Sequence, residues 1–136
     1  MSNITQLVNV DKNLTMLKKG ITASGLNKQL SENGPYTIFA PSDRAFDKLD
    51  KNVIDKLLLP EHKAELIDVL NHHVVAGKIN FDDLKDGGTL KSVNGRELKV
   101  HVKEGHVSID GAQIQGKETS ASNGFLYSLD TVMLKN

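Results

Sequence analysis

The feature that most constrains the fold is the stretch Tyr36 to Leu49, YTIFAPSDRAFDKL. Its residues Thr37 to Ala40 form a short run of β-branched, aromatic and small side chains between turn signals, which predicts a strand buried on both faces. Pro41 lacks a backbone N–H, so we expect it to end the strand. Ser42 or Asp43 can then cap a helix by accepting a hydrogen bond from a free N–H.

The predicted helix places three apolar side chains on one face, at positions i, i+1 and i+4: Ala45, Phe46 and Leu49. Because the strand and the helix are joined within about three residues, this face must pack close to the strand. We therefore expect the rings of Phe39 and Phe46 to be buried.

Helical patterns also dominate the N-terminal third. Ile4, Leu7 and Val8 mark one short helix, and a second carries apolar residues at i, i+3 and i+7: Leu14, Leu17 and Ile21. Asp11 or Asn13 is the expected cap of that second helix. The triplets that begin at Asn3 and Asn13 have the form of glycosylation acceptors, but chance occurrence together with helix capping is the favoured explanation.

The middle of the chain continues with helices and ends in a histidine doublet. Lys51 to Leu59 carries Val53, Ile54, Leu57 and Leu58 in amphipathic order. Pro60 suits the first turn of another helix, where a missing N–H costs nothing. His72 and His73 follow that helix and precede two β-branched residues, so they are expected at a helix-to-strand junction.

From Gly87 onward the apolar period changes to two, which predicts strands. Three turn signals divide this region: Asn94-Gly95, Glu104-Gly105 and Asp110-Gly111. The polar segment Gly116 to Asn123 is predicted to be a loop, and Gly124 to Leu134 a central closing strand. The pattern predicts a single α+β domain over residues 1–136, with helices first and then a largely antiparallel sheet.

Composition excludes several function classes. Seventeen basic and seventeen acidic residues balance, and two Tyr and four Phe with no Trp leave few rings for base stacking, so no nucleic-acid partner is expected. Cysteine is absent, which excludes disulfides and thiolate chemistry. No apolar run approaches the roughly 20 residues that span a bilayer, so no membrane insertion is expected.

Three separated stretches together resemble the fasciclin-like domain family. The first is Tyr36 to Phe46, similar to the family's apolar strand, Phe-Ala-Pro-Thr/Ser-Asp and Ala-Phe helix. The second is Leu70 to Gly77, LNHHVVAG, similar to a Tyr-His pair followed by Val-Val and glycine. The third is Gly124 to Leu134, similar to the family's C-terminal segment. Their order and spacing agree over essentially the whole chain.

The resemblance carries structural and functional expectations. It implies a wedge of two mostly antiparallel β-sheets flanked by the N-terminal helices. It also implies a non-enzymatic role in cell adhesion or matrix contact, as a secreted or surface-anchored module. Two positions depart from the family pattern: His72 stands where a Tyr is usual, and Tyr127 where a His is common. The residues expected to form the structural motif are Phe39, Pro41, Ser42, Asp43, Phe46, His73 and Tyr127.

The histidine doublet admits three interpretations. In the first, His73 is a buried scaffold group that is hydrogen-bonded to Asp43 or to a backbone carbonyl near the first motif. In the second, a face formed by His72, His73, Val74 and Val75 binds a partner, as the resemblance implies. Metal binding is the third, and it is disfavoured because adjacent histidines on a strand point to opposite faces. His101 and His106 near the Glu104-Gly105 turn are out of register with each other, so a solvated edge is expected there.

No motif indicates catalysis or a cofactor. The chain lacks a G-x-S-x-G elbow, a phosphate-binding loop, a dinucleotide fingerprint and an H-E-x-x-H helix. Ser42 beside Asp43 is explained by helix capping. We therefore predict no enzyme, no cofactor and no metal site.

Two function classes remain. The favoured one is a protein-interaction module of the cell surface or an extracellular layer, acting as a monomer on an unidentified protein or glycan. The alternative is a soluble domain of periplasm or cytoplasm that binds a small molecule or glycan in a cleft between sheet and helices. The first ten residues lack a secretion signal, so we expect either a cytoplasmic protein or a mature domain.

Overall fold

The computed structural model describes residues 3–30 and 35–132. Within these ranges it contains six α-helices: α1 (Ile4–Val10), α2 (Thr15–Ser24), α3 (Leu26–Leu30), α4 (Asp43–Asp47), α5 (Lys51–Leu57) and α6 (Lys63–Asn71). Two short 3₁₀ turns cover Pro60–His62 and Phe81–Asp83. The helical segments predicted from apolar spacing are confirmed, including the start at Pro60.

Seven strands form one sheet: β1 (Tyr36–Pro41), β2 (Val74–Ala76), β3 (Thr89–Lys91), β4 (Glu97–Lys103), β5 (His106–Ile109), β6 (Ala112–Ala121) and β7 (Gly124–Leu129). Their spatial order is β2-β1-β7-β6-β5-β4-β3. The pair β1 and β7 is parallel, and the other neighbouring pairs are antiparallel. The sheet is therefore mixed, and β7 lies in its interior between β1 and β6.

The two ends of this sheet approach each other. An isolated bridge joins Val75 in β2 to Ser92, just after β3, and the Val93 N–H donates to the Val74 carbonyl at 2.7 Å. The sheet is thus nearly closed and barrel-like. The predicted wedge of two sheets is only partly matched, because apolar spacing along each strand does not reveal which strands meet at the far edges.

Strand β1 separates two apolar cores. Ile38 and Ala40 pack with the helices, whereas Phe39 packs inside the curved sheet. Successive side chains of a strand point to opposite faces, so a strand between two cores is apolar on both. The prediction that Thr37 to Ala40 is buried on both faces is confirmed.

The predicted loop from Gly116 to Asn123 is wrong. Strand β6 continues to Ala121, and Thr119 and Ser120 pair with residues of β7. The register shifts between Gln115 and Thr119, which marks a β-bulge. Backbone hydrogen bonding holds this polar segment in the sheet while Thr119 and Ser120 remain exposed. The predicted closing strand ends at Leu129, and its residues 133–134 lie outside the described residues.

Two of the predicted turns are tight hairpins. Glu104 and Asp110 adopt positive φ angles of 53° and 48°, and the glycine that follows each also has positive φ. This backbone suits a two-residue hairpin turn. The turn pairs Lys103 with His106 and His101 with Ser108, so the prediction that His101 and His106 are out of register is confirmed. The connection at Asn94-Gly95 is longer, since Lys91 pairs with Glu97.

Candidate functional site

The corner predicted from Pro41 and its neighbours is formed as expected. Pro41 is the last residue of β1, and Ser42 is the N-cap of α4. The Ser42 hydroxyl accepts a hydrogen bond from the Ala45 N–H at 3.4 Å. Ser42 is therefore the residue that caps this helix.

Asp43 caps a different helix, α2. Its Oδ1 accepts the Met16 N–H at 2.8 Å, and its Oδ2 accepts the Thr15 hydroxyl at 2.7 Å. The Asp43 N–H in turn donates to the Asn13 carbonyl at 2.7 Å. The carboxylate also lies at the positive end of the α2 dipole, which adds a favourable electrostatic contribution.

The prediction that Asp11 or Asn13 caps α2 is therefore wrong. Leu14 occupies the N-cap position and makes no side-chain capping bond. The Asp11 carboxylate instead accepts the Asn13 N–H at 2.8 Å, which closes the turn between α1 and α2. Asp43 supplies the missing acceptor from a distant part of the sequence.

Two stacked aromatic rings pack in the core inside the sheet, next to this corner. Phe39 and Tyr127 are fully buried and stacked, with ring centroids 5.3 Å apart and planes inclined by 21°. The Tyr127 hydroxyl donates to the Ile79 carbonyl at 2.6 Å, so its polar end is satisfied inside the core. Phe46, in contrast, is only half-buried at the edge of the helical core. The expectation that its ring is buried is met only in part, and Ala45 occupies the inner position of α4.

His73 is a buried scaffold group. Its side chain is enclosed, and its Nδ1 donates to the Val69 carbonyl, one turn back in α6, at 2.8 Å. Burial lowers the pKa of His73 to about 4; the Val69 carbonyl opposes this shift, and His72 adds to it. The predicted pairing with Asp43 is not what the structure contains, because the Asp43 carboxylate is used at α2. The link to the first motif runs through the backbone, where the Phe39 N–H donates to the His73 carbonyl at 2.8 Å.

His72 lies beside His73 in the turn after α6. Its Nε2 is 3.9 Å from Oδ2 of Asp110, and its ring meets the His73 ring edge-on at 6.1 Å between centroids. Burial lowers the pKa of His72, and the Asp110 carboxylate partly offsets this. His72 and His73 thus precede β2 and are not part of a strand. The argument that adjacent histidines on a strand point to opposite faces therefore does not apply to them. Among the described residues, no group of three or more His, Asp or Glu side chains is placed to hold a metal ion.

The four residues predicted as a partner-binding face are all buried. Their exposed fractions are 4% for His72, 1% for His73, 1% for Val74 and 4% for Val75. They offer almost no surface, because Val74 packs into the helical core and Val75 into the core inside the sheet. The exposed residue bonded to this segment is Val93, whose N–H donates to the Val74 carbonyl and which is 39% exposed. Partner binding at this place stays a prediction, and contact would be made through Val93.

Sequence reasoning missed an apolar groove between α2 and α5. Its signal is present in the amphipathic order of Lys51 to Leu59. None of the residues of α5 is buried. No comparable local signal pointed to the contact of Asp43 with Thr15 and Met16.

The comparisons with known proteins agree with this fold. A profile of the Fasciclin domain matches residues 12–135. The chain is 34% identical to protein sll1483 of Synechocystis over 96% of its own length and 72% of that protein. It is likewise 34% identical to sll1735 of the same organism over 98% of both chains. The chain belongs to the Fasciclin domain family.

Larger proteins contain similar domains. The chain is 30% identical to the transforming growth factor-beta-induced protein ig-h3 of pig, of which it spans 19%. The solved FAS1 domain pair of the insect cell adhesion molecule Fasciclin I matches with a TM-score of 0.87, at 16% identity, over 98% of this chain and 51% of that one. This likeness shows the fold. No described helix has the length and apolar character needed to cross a bilayer.

Proposed function

We propose that this chain is a non-enzymatic module of cell adhesion or of an extracellular layer, which contacts a protein or glycan of a cell surface or matrix. The observation that carries the proposal is the match to the Fasciclin domain family over residues 12–135. The likeness of fold to a domain pair from an insect cell adhesion molecule supports it. In this view the polar groups of the family motifs serve the scaffold.

The contact surface of such a module must be exposed, whereas His72 to Val75 are buried. Val93 is joined to this segment through its N–H bond to the Val74 carbonyl, and its large apolar side chain is 39% exposed. Asn94 and Arg96 follow it in the same loop and add polar groups to this surface. An apolar centre with a polar rim is the usual arrangement of a protein contact site.

A cell-adhesion assay on immobilised protein tests the proposal. Cells should bind the native chain well above an albumin control, and Val93→Asp should reduce that binding several-fold. Val10→Asp is the matched control, because Val10 is also an exposed valine, at 77%, but lies on α1. Binding no better than to albumin would refute the adhesive role, and equal losses in both variants would refute the contact surface.

The proposed absence of catalysis has its own test. The chain should show no turnover of generic ester or phosphate substrates. Turnover that disappears in His73→Ala, while His101→Ala retains it, would establish an enzyme instead. His101 is a suitable control because its side chain is 62% exposed, unlike the buried doublet.

A further inference from the structure

Among the α-helices in the described part of the chain, α5 differs from the others because it buries none of its residues. It nevertheless carries apolar side chains: Ile54 and Leu57 are only half-buried, and so is Leu58 at its C-terminal cap. An amphipathic helix normally gains its stability by burying its apolar face against a neighbour. The apolar face of α5 is therefore incompletely covered by the protein itself.

The space beside this face is a groove of about 390 Å³ between α2, α4 and α5. Its apolar lining is contributed by five side chains: Met16, Phe46, Leu49, Ile54 and Leu58. This volume falls within the roughly 300–1,000 Å³ typical of small-molecule sites, which are concave and mostly apolar.

A second, smaller cavity of about 30 Å³ lies behind the groove. The same five apolar side chains line it, so a single layer of side chains separates the two spaces. The inner wall continues with Leu66 and Leu70, and His73 is the one ionisable group among the described residues that line it. Because Phe46 and Ile54 in the separating layer are only half-buried, rotating them toward solvent would join the cavity to the groove.

The charges at the rim indicate the kind of ligand. Lys19 and Lys51 are balanced by Asp47 and Asp55, so the rim has no net charge with which to select an ion. His73 on the inner wall is neutral near pH 7, because its pKa is about 4. A charged ligand would lose its hydration in the apolar interior without gaining a partner there.

We propose that the groove between α2 and α5 binds a small uncharged apolar molecule, whose end passes between Phe46 and Ile54 into the cavity beneath. This site is independent of the proposed adhesive role, since it lies on the helical side of the fold and not at Val93. Binding would cover the apolar face of α5 that the chain leaves open.

The test uses N-phenyl-1-naphthylamine, a neutral probe that fluoresces in apolar surroundings, with 1-decanol as competitor. We expect saturable one-site binding by the native chain, displaced by decanol. Ile54→Trp fills the groove and should weaken binding at least tenfold. Val53→Trp is the matched control, because it adds the same side chain at the adjacent position of α5, which does not line the groove. The Val53→Trp variant should bind the probe as the native chain does.

The chain has no Trp, so the indole introduced by Val53→Trp should transfer its excitation to the bound probe and place it near α5. Thermal unfolding of both variants checks that they fold. If Ile54→Trp does not fold, methyl NMR of Met16 in the native chain replaces it, and decanol should shift that resonance. The absence of saturable binding, equal losses in both variants, an unshifted Met16 methyl, or a dimer in sedimentation that masks the groove would overturn the proposal.

Discussion

The carboxylate of Asp43 accepts the backbone N–H of Met16 at 2.8 Å, although 27 residues separate them. Asp43 stands one residue after the cap of its own helix, yet it caps α2, with a second bond from the Thr15 hydroxyl. This contact attaches the N-terminal helices to the corner between β1 and α4. The strand-to-helix corner thus caps the N-termini of two helices, α4 through Ser42 and α2 through Asp43.

Removing this contact should destabilise the chain. We expect Asp43→Ala to lower the free energy of unfolding by about 1–3 kcal/mol, because a cap and a charge-assisted hydrogen bond are lost together. Urea denaturation measures the change. Arg44→Ala is the control, since Arg44 is exposed on the same helix and should have little effect.

A double-mutant cycle can show which contact is responsible. Asp43→Ala and Thr15→Val should couple, because their side chains are bonded. Asp43→Ala and His73→Gln should be additive, because His73 bonds to Val69 instead. Strong coupling between Asp43 and His73 would contradict the arrangement described above.

The buried imidazole of His73 predicts a loss of stability in acid. Its pKa is about 4 in the folded chain and about 6.5 when unfolded. Between these values the unfolded state binds more protons, so stability falls as the pH is lowered from about 6.5 to about 4. The loss attributable to His73 should be about 3 kcal/mol. The pKa of His72 is lowered too, so its effect has the same sign.

Urea denaturation between pH 7.5 and pH 4 measures this dependence. His73→Gln should flatten it, while His101→Gln, at an exposed position, should leave it unchanged. NMR titration of the His73 ring protons in the native chain gives a second check, with an expected midpoint near pH 4. A midpoint near 6.5 would contradict the burial of this ring.

The two phenylalanines of the first motif should differ in their contribution to stability. Phe39→Ala should cost about 3–5 kcal/mol, because it removes a fully buried ring that stacks on Tyr127. Phe46→Ala should cost clearly less, since that ring is only half-buried. Thermal or urea unfolding of both variants measures the difference, and equal costs would place Phe46 in the core after all.

Gly124 is required where β7 begins beside β1. A Cβ at this position would lie 1.7 Å from the Tyr36 carbonyl oxygen, and this backbone cannot move without breaking the pairing of Tyr36 with Gly124. Gly124→Ala should therefore cost about 3 kcal/mol or more, or prevent folding.

The variant Gly105→Ala provides the comparison for Gly124→Ala. Gly105 has a positive φ of 80°, but a Cβ there would meet no atom within 4 Å. Gly105→Ala should cost only about 1–2 kcal/mol, from backbone strain alone. If circular dichroism and urea denaturation show Gly124→Ala to be no worse than Gly105→Ala, the close approach of β1 and β7 is wrong.

Much of the candidate site could be predicted because its signals are local. Pro41 cannot donate a backbone hydrogen bond and Ser42 can cap the next turn, so the end of β1 and the start of α4 follow from adjacent residues. The glycine-containing turns at Glu104 and Asp110 are local in the same way. The expectation that His73 is a buried, hydrogen-bonded group was confirmed for a related reason, since a polar ring in an apolar run needs a partner.

Other predictions failed where the outcome depends on distant parts of the chain. Whether β6 continues through its polar segment depends on pairing with β7, and whether the sheet closes depends on Val75 meeting Ser92. Val74 and Val75 are buried because each packs into one of the two apolar cores. Phe46 is half-buried because α5 does not fully cover it.

The sequence by itself determined which groups are able to end a strand, cap a helix, turn the chain or fill a core, because these abilities depend on backbone dihedrals and side-chain chemistry within a few residues. Only the tertiary structure decided which partner each group meets. Asp43 is a strong acceptor in any conformation, but it bonds to Met16 because the folded chain brings the free N–H groups of α2 within reach of its carboxylate.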